Sequence, residues 1–293
     1  MTTPPVHKTF KLYINGKFPR SESGRTLPLF DPKQKSEIPL TQIARGSRKD
    51  VRDAAQAARK AFAGWSAAVP LLRGQILHRM AELLDSRGRE FEEYLTFYCG
   101  ATPARAEAEV EAAADRLLWY AGWCDKLAQL YGTVNPVVGP YFNFSMPEPT
   151  GVVCAFAPPK PALLGLVSLL APILVPGNTV VCVVPLEAAP IAVTLAEVCA
   201  TSDLPAGVLN IVTGDPDELM PHASVHREFD GNFLVSSQAE VVRDIEAAAA
   251  NHVKRQLTVP AHAPAWWHKS DAQDVRWMQA FLEIKTAWHT MGQ

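Results

Sequence analysis

The fold is decided by the run Thr179-Val180-Val181-Cys182-Val183-Val184, which carries no charge and is rich in β-branched residues. Strands that are apolar on both faces are typical of a parallel sheet covered by helices on both sides. Runs of the same kind recur at residues 152–157, 208–213, 233–235 and 256–259. Helical patterns at 162–174, 191–201, 217–223 and 239–251 separate them. This alternation predicts an α/β unit over residues 151–265.

The chain before this unit is mainly helical. An apolar segment broken by Asn15-Gly16 predicts a hairpin, and a polar loop is expected from there to Gly46. Ser47 is the predicted N-cap of a first helix. Three more helices are predicted to begin at Pro70, near residue 91 and after Pro103, the last of them reaching about Leu130. Residues 1–131 are therefore predicted to form a hairpin and a helical layer beside the sheet.

Two further segments have a different pattern. Residues 132–150 contain Asn135-Pro136, a Gly-Pro pair and alternating aromatic residues, which predicts a projecting hairpin. Residues 266–293 form a tail in which 281–288 is predicted to be a strand. Tryptophan is frequent near this tail, at Trp266, Trp267, Trp277 and Trp288. These side chains either pack locally or line a partner interface, where tryptophan is enriched.

Composition excludes several classes of protein. The 293 residues have a formal net charge of -2, so the chain has neither a basic footprint for nucleic acid nor a polybasic membrane patch. The first residues lack an apolar segment, and we expect no secretory signal. The five cysteines form no CxxC pair, which predicts reduced thiols and a cytoplasmic location. His222 and His226 have helical i, i+4 spacing but no third ligand, so no metal site is predicted.

Three segments resemble one known family. Residues 176–181 read PGNTVV and residues 204–214 read LPAGVLNIVTG, and together they resemble the cofactor domain of the aldehyde dehydrogenase superfamily. Residues 113–123 resemble the long helix that precedes this domain. Residues 281–288 and the hairpin 132–149 resemble the two parts of the family's oligomerisation element.

Residues 201–205 follow these segments, and the last strand comes soon after the fifth sheet strand. This combination resembles the shortened second domain of aldehyde dehydrogenase family 16, which lacks the catalytic cysteine. Here that domain is expected as a stand-alone chain. The resemblance implies a Rossmann-like parallel sheet with an N-terminal helical layer and a small β oligomerisation arm. Only about twenty residues separate the fifth sheet strand from residue 281, so the catalytic domain is expected to be absent.

The resemblance also implies where catalytic residues belong, and this sequence differs at each position. Lys160 stands where the family has its oxyanion-stabilising asparagine, and Val259 stands at the general base, with His262 nearby. The family's nucleophilic cysteine follows the fifth strand, whereas no cysteine occurs after Cys199. Cys154 and Cys182 fall in predicted buried strands, where thiols are poor nucleophiles. We therefore predict no catalytic residue; the alternative is that Lys160 supplies the oxyanion donor or His262 the base.

Two residues are candidates for cofactor binding. Glu187 matches, after a one-residue shift, the family's ribose-binding glutamate, and Ser237 matches a serine beneath the pyrophosphate. The family's ribose lysine is absent, and Ser236 replaces a glycine that lets the backbone approach the phosphate. The alternative is that Glu187 is an exposed loop carboxylate and that Ser236 or Ser237 is a helix N-cap. We therefore predict that the chain binds no cofactor. The alternative is that it binds NAD(P).

These observations lead to three functional hypotheses. The first is a non-catalytic pseudoenzyme subunit that forms a homodimer, or a heteromer with a catalytic aldehyde dehydrogenase, through 132–150 and 281–288. The second is an NAD(P)-binding component of an aldehyde oxidoreductase whose nucleophile is supplied in trans. The third is a small-molecule sensor that uses the crevice at the carboxyl ends of the strands.

Overall fold

The computed structural model describes residues 8–33 and 38–292. The first strands, β1 (Thr9–Phe10), β2 (Thr26–Leu29) and β3 (Thr41–Ala44), form a small sheet in the order β1-β3-β2. The prediction of an uninterrupted polar loop to Gly46 was therefore wrong. Strands of two to four residues are too short to show an alternating pattern. The hairpin turn at Asn15-Gly16 is confirmed, since both residues have positive φ, 53° and 71°.

A layer of helices follows, and its bounds are α1 (Arg48–Ala67), α2 (Pro70–Ser86), α3 (Gly88–Tyr98), α4 (Pro103–Ala121) and α5 (Leu127–Tyr131). Ser47 is the N-cap of α1, and with Asp50 it forms a capping box. The prediction of one helix from Pro103 to about Leu130 was wrong, because α4 ends at Ala121 with Gly122 as its C-cap. Glycine is a poor helix former, and the chain turns there before α5 begins.

The rest of the chain alternates strands and helices after an initial hairpin. The hairpin strands are β4 (Thr133–Asn135) and β5 (Tyr141–Pro149). There follow β6 (Val152–Phe156), α6 (Leu164–Leu174), β7 (Thr179–Val184), α7 (Ala189–Thr201), β8 (Leu209–Thr213), α8 (Pro216–Ala223), β9 (Gly231–Val235), α9 (Ala239–Asn251) and β10 (Arg255–Val259). Last come α10 (Val275–Gln279) and β11 (Leu282–Thr290).

Strands β6 to β10 form one parallel sheet in the order β10-β9-β6-β7-β8. All five predicted strands are thus confirmed, with ends that differ by no more than two residues. The chain runs outward from β6 to β8 and then returns to the other side of β6 at β9. Loops after β6 and β9 consequently separate at this switch point, where α/β proteins have their ligand crevice.

Helices cover both faces of this sheet. Helices α2, α3, α4, α6 and α7 pack over one face, and α1, α8 and α9 pack over the other. Val181 and Cys182, neighbours in β7, belong to the two opposite cores and are both fully buried. This arrangement explains the absence of an alternating polar pattern in the strands.

The tail folds back over the α4–α6 face. Trp267 is 0% exposed, and Trp277 is also buried, against Phe233 of β9 with their ring centroids 5.6 Å apart. Arg116 of α4 holds this segment: its guanidinium donates to the carbonyl oxygen of Trp267 at 2.7 Å. Local packing is therefore the correct interpretation for these two tryptophans.

The hairpin and the last strand form a second three-stranded sheet, in the order β11-β5-β4, which we call the arm. Strand β11 pairs antiparallel with β5 over nine residue pairs, from Leu282 opposite Pro149 to Thr290 opposite Tyr141. The predicted association of the hairpin with the last strand is present in the structure. Among the described residues, no helix is both long enough and apolar enough to cross a bilayer.

Candidate functional site

The candidate site is the crevice at the carboxyl ends of the parallel strands. Four segments form its walls: 157–163 after β6, 185–188 after β7, 236–238 after β9 and 260–263 after β10. Ser237 and Glu187 follow β9 and β7, which lie on opposite sides of β6. Two strand spacings separate these strands by about 10 Å, so the two residues flank the loop after β6 without meeting.

Ser237 is exposed, and its hydroxyl bonds to the neighbouring loop. Its Oγ accepts a hydrogen bond from the backbone N–H of Ala261 at 2.9 Å and lies 3.4 Å from the carbonyl oxygen of the same residue. The structure therefore joins the loops after β9 and β10 through this side chain. A phosphate could use the hydroxyl only in competition with these backbone groups.

Neither serine is the N-cap of α9, so that alternative interpretation was wrong. The N-cap is Gln238, which has no side-chain capping bond. The Ser236 hydroxyl accepts from the N–H of Gln238 at 3.1 Å, and the Ser236 N–H donates to Val259 at 3.0 Å. Both bonds hold the turn in place at the position where the family's pattern has glycine.

Glu187 lies in a short 3₁₀ turn, Leu186–Ala188, between β7 and α7. Its side chain is exposed, and its carboxylate makes no hydrogen bond or ion pair with any described residue. The backbone carbonyl oxygen accepts from the Cys99 thiol, with the sulfur 3.4 Å away. An unengaged carboxylate at the end of β7 is compatible with ribose binding and equally with a solvated loop.

Lys160 is exposed and lines a cavity of about 560 Å³ beside the crevice. Glu109 of α4 and His268 of the tail lie on the same cavity. Glu109 Oε1 accepts from the N–H groups of Leu163 at 2.7 Å and Leu164 at 3.3 Å, at the start of α6. Burial raises the pKa of Glu109, against the effect of these two bonds.

Sequence reasoning missed Glu109, although a signal was present. Helix α4 buries one face that carries Ala106, Val110, Ala113 and Leu117. Glu109 is an acidic residue on this apolar face and is 9% exposed. A charged residue in that position indicates a specific partner, here the amino end of α6.

The five cysteines are free thiols and none is placed as a nucleophile. Burial raises the pKa of Cys99, Cys124, Cys154 and Cys199 to about 12, and it raises that of Cys182 further. A nucleophilic thiol needs a pKa lowered toward neutrality. At neutral pH each of these sulfurs therefore carries its proton.

The other candidate residues are also engaged locally. Val259 ends β10 and is buried, while the His262 ring stacks on Trp266 with centroids 3.9 Å apart. The ring of His226 accepts from the N–H of Glu228 through Nδ1 at 3.3 Å. Within the described ranges, no group of three or more His, Cys, Asp or Glu residues could hold a metal ion.

Comparison with known proteins gives one consistent result. A sequence profile described as the Aldehyde dehydrogenase family matches residues 18–266. The NADP/NAD-dependent aldehyde dehydrogenase PuuC of Escherichia coli is 31% identical over 250 residues, which are 84% of this chain and 49% of that protein. Human aldehyde dehydrogenase 1A1 is 32% identical over 251 residues, again 84% of this chain and 49% of that protein.

Solved structures give the same result. HpcC from Thermus thermophilus superposes with a TM-score of 0.79 at 30% identity, covering 86% of this chain and 48% of its own. PnpE in complex with nicotinamide adenine dinucleotide superposes with a TM-score of 0.79 at 26% identity, covering 85% and 50%. The chain thus spans about half the length of the proteins that it matches.

Proposed function

The chain belongs to the aldehyde dehydrogenase family, and we propose that it acts as a non-catalytic subunit that pairs with other subunits. The partner is a second copy of this chain or a catalytic aldehyde dehydrogenase. The pairing element is the arm, in segments 132–150 and 281–288. One observation carries the proposal: the arm presents large apolar side chains to solvent on both of its faces.

The strand register assigns these side chains to the two faces. Val134, Phe142 and Met146 lie on one face, while Ile284 and Trp288 lie on the other. Phe142 is 42% exposed and Trp288 is 62% exposed. Strand β11 is also an edge of its sheet, with a neighbour only on the β5 side. Exposed apolar faces beside an open strand edge are typical of a protein–protein interface.

The state of the thiols supports the non-catalytic part of the proposal. Aldehyde oxidation by this family's chemistry needs a thiolate nucleophile, and each of the five thiols has its pKa raised by burial. At the general-base position Val259 has no ionisable group. Residues 260–281, which join β10 to β11, are folded as tail and α10. We propose that they replace the catalytic domain, as in the shortened second domain of family 16.

The crevice supports a subunit without its own cofactor. Ser237 is bonded to Ala261, and Ser236 occupies the glycine position of the family's phosphate turn. The second candidate function is an NAD(P)-binding component that works with a nucleophile supplied in trans. Glu187 favours it, because its carboxylate is exposed at the end of β7, and PnpE has been solved with nicotinamide adenine dinucleotide. The five free thiols support a cytoplasmic location for either function.

Light scattering during size exclusion tests the pairing. We expect the purified chain to elute at twice its 32.0 kDa mass, or to co-elute with a catalytic aldehyde dehydrogenase of the same organism. The double variant Ile284→Lys, Trp288→Glu should elute as a single chain in both assays, since charges would then be buried at the interface. Leu71→Lys is the matched control, because Leu71 is an exposed apolar residue of α2 outside the arm. A wild-type chain that is monomeric alone and in the mixture would refute the pairing.

Calorimetric titration with NAD+ and NADP+ separates the two candidate functions. The non-catalytic subunit should give no saturable heat at micromolar cofactor. Micromolar binding that is lost in Glu187→Gln and kept in Glu82→Gln, an exposed control on α2, would instead establish the cofactor-binding component. Aldehyde-dependent NADH formation by the purified chain alone would contradict the absence of catalysis.

A further inference from the structure

A second cavity lies at the amino ends of β6, β9 and β10, which is the opposite end of these strands from the crevice. Its volume is about 650 Å³. We call it the basic pocket and define it by Thr150, Arg227, Asp230, His252, Lys254 and Arg255. Because parallel strands all point the same way, this pocket is separated from the crevice by the length of the sheet.

The carboxylates at this pocket are already engaged. Asp230 Oδ2 accepts from a guanidinium N–H of Arg59 at 2.7 Å and from the backbone N–H of Val152 at 2.8 Å. Glu283 takes both hydrogen bonds of Arg255, at 2.9 and 2.8 Å. Arg59 also donates to Glu228 Oε2 at 3.1 Å, so this guanidinium is shared by two carboxylates. Neither Asp230 nor Glu283 makes an ion pair with Arg227 or Lys254.

Two cations have no carboxylate partner. Arg227 is exposed and makes no hydrogen bond or ion pair with the described residues. The Lys254 ammonium donates to the carbonyl oxygen of His226 at 2.6 Å and lies 5.7 Å from the centroid of the Phe229 ring. Burial lowers the pKa of Lys254 to about 8, and the nearby Asp230 carboxylate offsets only part of this effect. The charged amine is thus incompletely stabilised in the free protein.

A neutral donor at the pocket is also unpaired. Thr150 lines the pocket, and its Oγ1 is buried without a hydrogen-bond partner among the described residues. Buried hydroxyl groups are nearly always hydrogen-bonded, so the unpaired Thr150 hydroxyl at a pocket lined by Arg227 and Lys254 points to a group that supplies acceptors.

The helix dipole accounts for only part of this cluster. His252 and Lys254 follow the end of α9, and cations are favourable at a helix C-terminus. Arg227 lies instead in the loop between α8 and β9, where no such effect applies. Its guanidinium has the planar fork of donors that suits a phosphate oxygen pair.

We propose that the basic pocket binds a phosphoryl dianion, which pairs with Arg227 and Lys254. The ligand is free phosphate or the phosphate of a small monoester, and the cavity is large enough for either. The paired carboxylates Asp230 and Glu283 hold the pocket open to an anion by fixing Arg59 and Arg255. The crevice takes no part in this recognition, whereas Glu283 belongs to β11 at the base of the arm.

Calorimetry on the full chain tests the proposal with inorganic phosphate as the probe, at constant ionic strength set with chloride. Saturable binding is expected, and Arg227→Gln should weaken it by about tenfold or more, because a charge-assisted hydrogen bond is lost. Arg243→Gln is the matched control, since it makes the same charge change on the exposed part of α9, outside the pocket. Equal weakening in both variants, or no saturable heat, would overturn the proposal.

Two further arms identify the contacts and the source of the phosphoryl group. Lys254→Met should weaken phosphate binding and Lys254→Arg should restore it, because a cation is kept; failure of the arginine variant to bind would count against the Lys254 contact. Glycerol 3-phosphate should bind as tightly as phosphate if the natural ligand is a monoester. If phosphate alone binds, the site is one for the free ion.

Discussion

The parallel sheet and the arm are both regular β structure, yet they use apolar residues in opposite ways. Every residue of β6, β7 and β8 is buried, because the chain supplies helices for both faces. In β11 every residue after Glu283 is exposed. The residues of these sheet strands are buried within this chain, whereas most residues of β11 in the arm remain exposed. This difference is the basis on which we propose that the arm pairs with another subunit.

The largest expected effect is on the free energy of unfolding, and it is seen by comparing one aromatic residue of the parallel sheet with one of the arm. Phe233 in β9 is fully buried against Trp277 and Phe281, and Phe233→Ala should lower the free energy of unfolding by about 3–5 kcal/mol. Phe142 in the arm is 42% exposed, so Phe142→Ala should cost less in the single chain, about 1 kcal/mol. Urea unfolding at low protein concentration measures both values.

The same two variants should rank in the opposite order when their effect on pairing is measured. Phe142→Ala should weaken pairing in size-exclusion light scattering, whereas Phe233→Ala should leave the arm intact at temperatures where the chain is folded. Two variants with similar costs in the unfolding experiment would show that the arm is stabilised within the single chain, and the contrast between the regions would then fail.

The next effect concerns the tail that covers one face of the sheet. Arg116 donates to Trp267, to Ser168 Oγ at 2.6 Å and to Gln273 Oε1 at 3.0 Å. Arg116 also donates to the carbonyl oxygen of Ala272. Arg116→Met removes the donor from the buried carbonyl oxygens of Trp267 and Ala272 and should cost about 3 kcal/mol. Limited proteolysis should then cleave within 260–274 before the rest of the chain. Arg276→Met is the control, because the Arg276 side chain is 81% exposed and its ion pair with Asp274 is screened by solvent.

Much of this fold could be predicted from the sequence. The strands of the parallel sheet are buried on both faces, so their composition alone identifies them, and Ser47 marks the start of α1 by a local bond to Asp50. Strands β1 to β3 could not be predicted, because strands of two to four residues are too short to show an alternating pattern. The break at Gly122 was missed because an apolar pattern continues on both sides of it.

The candidate site was less predictable for a related reason. Glu187 and Ser237 were found by resemblance, but the bond between Ser237 and Ala261 joins loops 24 residues apart and has no local signature. Glu109 depends in the same way on contact with α6. The hydrogen bonds of such side chains depend on tertiary contacts, which cannot be inferred from the pattern of residues along the chain.

A pH experiment sharpens the description of the buried region. The pKa of Glu109 is raised in the folded chain, so between its ordinary value near 4.5 and the raised value the folded state binds more protons than the unfolded state. Stability should therefore fall as pH rises through this interval. Glu109→Gln keeps an acceptor for Leu163 and should remove that fall. Glu107→Gln, on the exposed face of α4, should not, and identical pH profiles for both variants would contradict the assignment.

The smallest expected effect on stability concerns the end of α9, which lies outside both the parallel sheet and the arm. Val253 is 94% exposed and has a φ of 54°, and its N–H donates to Ala250 while that of Lys254 donates to Ala249. This left-handed C-cap usually carries glycine, because a side chain strains it by about 1–2 kcal/mol. Glycine also adds about 0.5–1 kcal/mol of unfolded-chain entropy, so Val253→Gly should stabilise the chain by about 1 kcal/mol or less in urea unfolding. Since the side chain contributes nothing to burial in the sheet or the arm, pairing should not change. A destabilised variant would contradict the assignment of backbone strain to Val253.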